Sequence, residues 1–254
     1  MPDLTLFESL LVCWILVAAV TYTALRYVRA AYGRYAAESA APKMSARTGW
    51  ILMESVSIAV FAAFFLSSDR TRQLPAILLL GLWQVHYVHR SWIYPLRAQA
   101  PNRTMPVSIM LMAVVFNVIN ASLNGYWLFH AGPARDSSWL ADPRFVVGAS
   151  LFIVGMAVNI SSDYRLLALR RKGDAGYSIP PDRGLFRWIS CPNYLGEILE
   201  WCAWALATWS LAGLSFAAWT IANLVPRALA HHRWYRQTFS DYPPKRKALV
   251  PLLI

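Results

Sequence analysis

Residues 145–172 read FVVGASLFIVGMAVNISSDYRLLALRRK, and this stretch decides the fold. No charged side chain appears before Asp163. A helix that crosses a bilayer needs roughly 20 mostly apolar residues, and 145–167 supplies that length. Asn159 and Asp163 stand one helical turn apart near its end. Polar groups at that depth are costly in hydrocarbon, so they face a shared interior rather than lipid. Arg170, Arg171 and Lys172 follow, and basic residues concentrate on the cytoplasmic side of membrane spans.

The same pattern recurs on both sides. Apolar runs at 5–25, 48–67, 74–94, 105–129, 194–209 and 213–230 predict six further spans. The last two are short and are joined by Leu211-Ala212-Gly213, so one long bent helix is the other reading. Pro226 predicts a kink or an early stop there. The first run has no basic segment before it and no small-residue cleavage pattern after it, which marks a retained helix rather than a signal peptide.

Bulk composition agrees. Of 254 residues 57% are hydrophobic and only 15% charged, against about 25% charged in a soluble domain. Mean hydropathy is +0.38. The 12 Trp and 12 Tyr suit membrane interfaces. Cys13, Cys191 and Cys202 are odd in number and lack CxxC spacing, so neither a disulfide framework nor a metal site is expected.

The distribution of charge sets the topology. With seven spans, alternate connections place 20 of the 24 Lys and Arg on one side. Six spans would move the basic tail to the wrong side. The expectation is an all-α, polytopic membrane protein of seven helices, N-terminus outside and C-terminus cytoplasmic, forming a single domain over 1–254. The net charge of +11 then reads as topology plus anion binding. Basic residues scattered among membrane loops do not make a nucleic-acid site.

Polar stripes mark the interior. Glu54 lies near the cytoplasmic end of the second span. The third carries Gln84, His86, Tyr87, His89, Arg90 and Tyr94, with Tyr87, Arg90 or Ser91, and Tyr94 on one face. Asn117, Asn120 and Asn124 line the fourth, where interhelical hydrogen bonding is an equal reading. Asn193, Glu197 and Glu200 line the sixth. After the last span come His231, His232, Arg233, Tyr235 and Arg236. Basic, Asn and Tyr side chains suit a phosphate-rich ligand. There is no GxGxxG and no GxxxxGK[ST], so a soluble-type nucleotide fold is not indicated.

These residues carry a resemblance to the steroid 5-alpha-reductase family. In order they are Asn159-Ile160-Ser161-Ser162-Asp163-Tyr164, Tyr177, Ile179-Pro180, Gly184-Leu185-Phe186 and Asn193-Tyr194-Leu195-Gly196-Glu197. Glu200-Trp201, Ala205 to Trp209, His231-His232-Arg233-Trp234-Tyr235, Asp241-Tyr242-Pro243 and Arg246-Lys247-Ala248-Leu249 continue the series. Thinner matches lie at Tyr32-Gly33-Arg34, Trp50 to Glu54 and His86 to Arg90. The chain departs from the family at Met53, Val56 and Ser178, where Gln, Pro and a basic residue are usual.

The resemblance implies an enzyme that reduces the 4,5 double bond of a 3-oxo-Δ4 steroid, or of a similar lipid enone, with NADPH. It implies that Glu54 and Tyr87 grip the substrate carbonyl. It implies that Arg34, Arg103, Asn159, Asp163, Arg170, Tyr177, Asn193, Glu197, His231 and Tyr235 bind the cofactor. The chemistry fits the residues. An enone accepts hydride when its oxygen is stabilised as charge develops, and a Glu that keeps its proton in a low-dielectric span donates as a Tyr hydroxyl does. A monomer in a bilayer is expected, in the inner membrane of a bacterium or the endoplasmic reticulum of a eukaryote. Two other classes stay open: a membrane methyltransferase using S-adenosylmethionine, and a small transporter, although paired inverted repeats are absent from the sequence.

Overall fold

A computed structural model describes residues 4–28, 41–98, 103–172 and 178–254, with the side chains of 170–172 outside that description. Helix dominates. The helices are α1 (Leu4–Tyr27), α2 (Ala46–Leu66), α3 (Leu74–Val88), α4 (Tyr94–Arg97), α5 (Val107–Tyr126), α6 (Pro143–Lys172), α7 (Pro192–Thr208) and α8 (Leu211–Thr238). A π-helical turn, His89–Ile93, joins α3 to α4, and a second, Trp127–Ala131, extends α5. Pro75 and Pro192 sit in the first turns of α3 and α7, where a missing N–H costs nothing.

Among the described residues, four stretches are long and apolar enough to cross a membrane: Thr5–Tyr27, Ala46–Leu66, Val107–Ala131 and Pro143–Leu169. Leu6, Leu10, Leu16 and Val20 of α1 are exposed. Apolar surface left outward on a long helix belongs in hydrocarbon, not water. The 15 residues of α3 and 17 of α7 fall short of a span by themselves. Residues 231–238 of α8 mix polar and aromatic side chains and continue the helix past its apolar section.

Two local expectations are corrected. Of the two outcomes expected at Pro226, the early stop does not occur, since α8 runs through it with the proline buried. Packing holds the helix together across the lost hydrogen bond. The break between the last two helices falls at Trp209 and Ser210, before Leu211 rather than across it. Trp209 takes a left-handed φ of 41° that closes α7, and the Ser210 side chain accepts the Gly213 N–H at 2.9 Å to open α8. The all-α reading holds in the main, with one short ribbon beside the helices. β1 (Lys43–Ser45) pairs antiparallel with β2 (Thr104–Pro106), Met44 opposite Met105. This ribbon clamps the start of α2 to the start of α5, because Ala46 N–H bonds the Arg103 carbonyl and Val107 N–H the Pro42 carbonyl, each at 2.9 Å.

The chain divides into two compact units. The first comprises residues 1–11 and 29–146, the second 12–28 and 147–254. In the first, α2 packs on α3 and α5 around Phe61, Trp83, Phe65 and Phe129. The Phe61 and Trp83 rings stack with centroids 4.2 Å apart, and Phe129 meets Phe61 edge-on at 5.1 Å. At one end Arg70 donates to the carbonyls of Leu128 (2.7 Å) and Gly132 (2.6 Å).

In the second unit α6 and α7 approach backbone to backbone. A Cβ on Gly155 would lie 2.7 Å from the Gly196 carbonyl, and one on Gly196 would lie 2.5 Å from the Asn159 nitrogen. Glycine at both positions lets the polar residues of the two helices meet. Trp201 of α7 lies against Phe216 of α8 at 4.0 Å. Trp219 of α8 donates its indole N–H to the Trp14 carbonyl of α1 at 3.0 Å. The C-terminal segment returns as a parallel bridge, Ile189 beside Lys247, and buries Ala248 and Leu249 against Cys191 and Ala228.

Candidate active site

The first unit holds Glu54 and Tyr87, and the register of α2 on α3 relates them. Trp83 donates to the Ser57 carbonyl at 3.4 Å, and Gln84 to that of Ile58 at 3.1 Å. At the other end Trp50 meets the Tyr94 ring at 6.1 Å and the Arg90 guanidinium at 5.2 Å. Numbers rise along α2 as they fall along α3. Glu54 lies between Trp50 and Ser57, and Tyr87 between Trp83 and Arg90, so the acid and the phenol occupy one level of the helix pair. Tyr87 is 3% exposed and Glu54 half-buried.

The π turn begins two residues after Tyr87. Ser91 donates its hydroxyl to the Tyr87 carbonyl at 2.6 Å. The wider turn lets Arg90 and Tyr94 both reach Trp50, and such turns recur at functional sites. His86 and His89 are buried. On α5, Asn124 donates to the Asn120 carbonyl of its own helix at 3.0 Å. Asn117 alone of the three has a hydrogen bond to α2 described, donating to the Met53 carbonyl at 2.7 Å and standing 3.5 Å from Glu54 Oε2.

The second unit gathers four of the expected cofactor residues. Asn159 donates its amide to the Asn193 carbonyl at 3.0 Å and to Glu197 Oε2 at 3.2 Å. Asn193 donates to Asp163 Oδ1 at 2.9 Å. Asn159 and Asp163 are 2% and 5% exposed. His231 Nε2 stands 3.2 Å from the Tyr194 hydroxyl, one residue past Asn193. Tyr235 is one turn further along α8, stacked on Tyr242 with centroids 5.3 Å apart.

Sequence reasoning did not single out what supports that stack. The Ser190 hydroxyl lies 2.7 Å from both His232 Nδ1 and the Tyr242 hydroxyl. These partners are 42 and 52 residues away in the chain, beyond any periodicity. Burial, then Arg236, Lys247 and Arg246, hold His232 below its ordinary pKa, and burial raises that of Tyr242.

Of the remaining expected residues, Arg103 is exposed beside β2 in the first unit. Arg34 and Tyr177 lie outside the described residues. Arg170 is in the last turn of α6, and its side chain is likewise outside.

Comparison with known proteins adds an independent line. The family described as 3-oxo-5-alpha-steroid 4-dehydrogenase matches residues 103–254. The chain is 41% identical to 3-oxo-5-alpha-steroid 4-dehydrogenase 1 of Macaca fascicularis, covering 90% of this chain and 86% of that one. Identity to the Bos taurus protein of the same name is 39%, over 92% of each. Identity to the steroid 5-alpha-reductase DET2 of Gossypium hirsutum is 38%, over 99% of this chain and 98% of that one.

Proposed function

The chain belongs to the 3-oxo-5-alpha-steroid 4-dehydrogenase family, and on that premise we propose that it reduces the 4,5 double bond of a 3-oxo-Δ4 steroid, or of a similar lipid enone, with NADPH. The single observation that carries the assignment of residues is the α2–α3 register. It sets an acid and a phenol at one level among Trp50, Ser57, Trp83 and Arg90.

Glu54 and Tyr87 both donate hydrogen bonds to the substrate carbonyl oxygen. Negative charge develops there when the β-carbon accepts hydride, and donors already aimed at that atom lower the barrier. A proton from solvent completes the α-carbon. The surrounding aromatic rings exclude water and strengthen each bond to the oxygen.

The donor set of the second unit fits a dinucleotide. Amide groups and carboxylates pair with sugar hydroxyls and a carboxamide, and the arginines pair with phosphates. Asn159, Asp163, Asn193, Glu197, His231 and Tyr235 would hold NADPH, with Arg34, Arg103, Arg170 and Tyr177. When bound, it supplies the hydride.

Residues 1–254 are read as one monomeric, multi-pass membrane domain of seven spans, N-terminus outside. Helices α1 and α8 support the odd count. Trp14 pairs with Trp219, and Tyr22 and Arg26 line a cleft with Arg233. The two helices therefore run parallel, as first and last spans of an odd series do.

The test is mass spectrometry of a testosterone-type enone incubated with purified protein and NADPH. The expected product is two hydrogens heavier and contains the label of deuterated NADPH. An unchanged enone, or label that never enters the product, would overturn the reading.

A further inference from the structure

Helix α5 carries buried polar groups outside the roles assigned above. Its asparagine stripe reads at first as helix glue, yet the bonds described between Asn120 and Asn124 lie within α5 itself. Asn117 is different. It is 4% exposed, and every hydrogen bond described for its side chain crosses to the turn of α2 that carries Glu54.

Both ends of its amide are constrained. The Met53 carbonyl is only an acceptor, so the atom 2.7 Å from it is the NH2 group. At the opposite end Ser57, itself fully buried, donates its hydroxyl to Oδ1 at 3.2 Å. A flip would break the bond to Met53, so the Met53 carbonyl fixes the orientation of the amide and Ser57 completes it. Its second N–H is directed at Glu54 Oε2, 3.5 Å away and at the long limit of a hydrogen bond.

We propose that Asn117 is a positioning residue that orients the Glu54 carboxyl for substrate. The proposal rests on the catalytic role assigned to Glu54 above. The carbonyl oxygen of a protonated acid accepts more strongly than its hydroxyl oxygen. The contact therefore favours Oε2 as the carbonyl oxygen, with the proton on Oε1. Asn117 thus selects which oxygen of Glu54 donates to the substrate ketone. The bond to Met53 fastens the backbone of the same turn to α5, so the carboxyl is held at its root and at its tip. Asn117 touches neither substrate nor cofactor in this role.

The test is a double-mutant cycle with purified protein, NADPH and a testosterone-type enone. Asn117→Leu keeps the volume and removes the amide. It is expected to lower kcat roughly 10- to 100-fold through misplacement of one donor, with KM for NADPH within about twofold of wild type. In a Glu54→Leu background the same change is expected to cost less than about twofold, because a residue acting through Glu54 has nothing left to orient. An equal loss in both backgrounds would show a purely structural role and overturn the proposal, as would full activity of Asn117→Leu. If Asn117→Leu does not fold, Ser57→Ala removes only the hydroxyl bonded to the amide oxygen. Its loss, expected at roughly 3- to 10-fold, must also vanish beside Glu54→Leu. Full activity of Glu54→Leu alone would instead defeat the assignment of Glu54 itself.

Discussion

Asn193, at the start of α7, donates its side-chain amide to Asp163 Oδ1 of α6 at 2.9 Å. Asn159, one turn before Asp163, donates in turn to the Asn193 carbonyl and to Glu197. The two helices thus exchange hydrogen bonds in both directions over a buried patch. Removing either amide leaves a partner unsatisfied at a cost of about 1–3 kcal/mol. Asn193→Ala is expected to raise KM for NADPH about 10-fold or more while leaving steroid KM nearly unchanged. Fluorescence titration with NADPH checks this, and an unaltered affinity counts against the cofactor assignment.

Tyr87→Phe removes one donor to the developing oxyanion, and Glu54→Gln replaces a carboxylic O–H with a weaker amide donor. Turnover should fall on the order of 10²–10³-fold in each variant. NADPH binding, measured in the same titration, should persist. Full activity in both variants would detach these residues from the chemistry.

Gly196 permits the α6–α7 approach. A methyl group there meets the Asn159 nitrogen at 2.5 Å and the Gly155 carbonyl at 2.6 Å. Both are backbone atoms and cannot swing aside. Gly196→Ala should cost about 1–3 kcal/mol and weaken NADPH binding by separating Asn159 from Glu197. A thermal melt in detergent that matches wild type would contradict the packing argument.

His232 makes stability depend on pH. Its folded-state pKa lies below the ordinary 6.5, through burial first and neighbouring Arg and Lys second. The unfolded chain binds a proton near 6.5 while the folded chain resists it. The contribution of neutral His232 is therefore fully present above that value and is lost as pH falls below it. His232→Asn removes this titration. Its melting temperature should fall less than that of wild type between about pH 7.5 and 5.5, and parallel slopes would exclude the effect.

Arg70 spans two carbonyls, Leu128 and Gly132, at the end of the π-helical extension of α5. Helix-terminal carbonyls lack intrahelical donors. A planar fork reaches both, whereas an ammonium is a single point. Arg70→Lys should lower the melting temperature, with Arg70→Ala lower still, by about 1–3 kcal/mol in stability. Equal stability of Lys and Arg at this position would show that charge alone suffices.

Much of the site was legible from spacing. Asn159 with Asp163, and Asn193 with Glu197, are one turn apart within their own helices, so their shared faces follow from the helical period. The equal reading of the asparagine stripe divides in the structure: Asn124 bonds its own helix, while Asn117 crosses to α2. Ser190 offered no signal. It is one serine in a connection, and its role comes from His232 and Tyr242, which the fold brings to it.

The sequence by itself determined a helical chain with apolar stretches long enough for a bilayer, and which polar side chains lie along them. Those properties are sums over neighbouring residues, and hydropathy and helical period read such sums directly. Only the tertiary structure decided that Glu54 shares a level with Tyr87, that Asn117 reaches the Met53 carbonyl 64 residues away, and that α8 continues through Pro226. Each of these depends on how one helix slides against another. That register is set by many small contacts at once, such as Phe61 on Trp83 and Gly155 on Gly196, and no local stretch of sequence contains it.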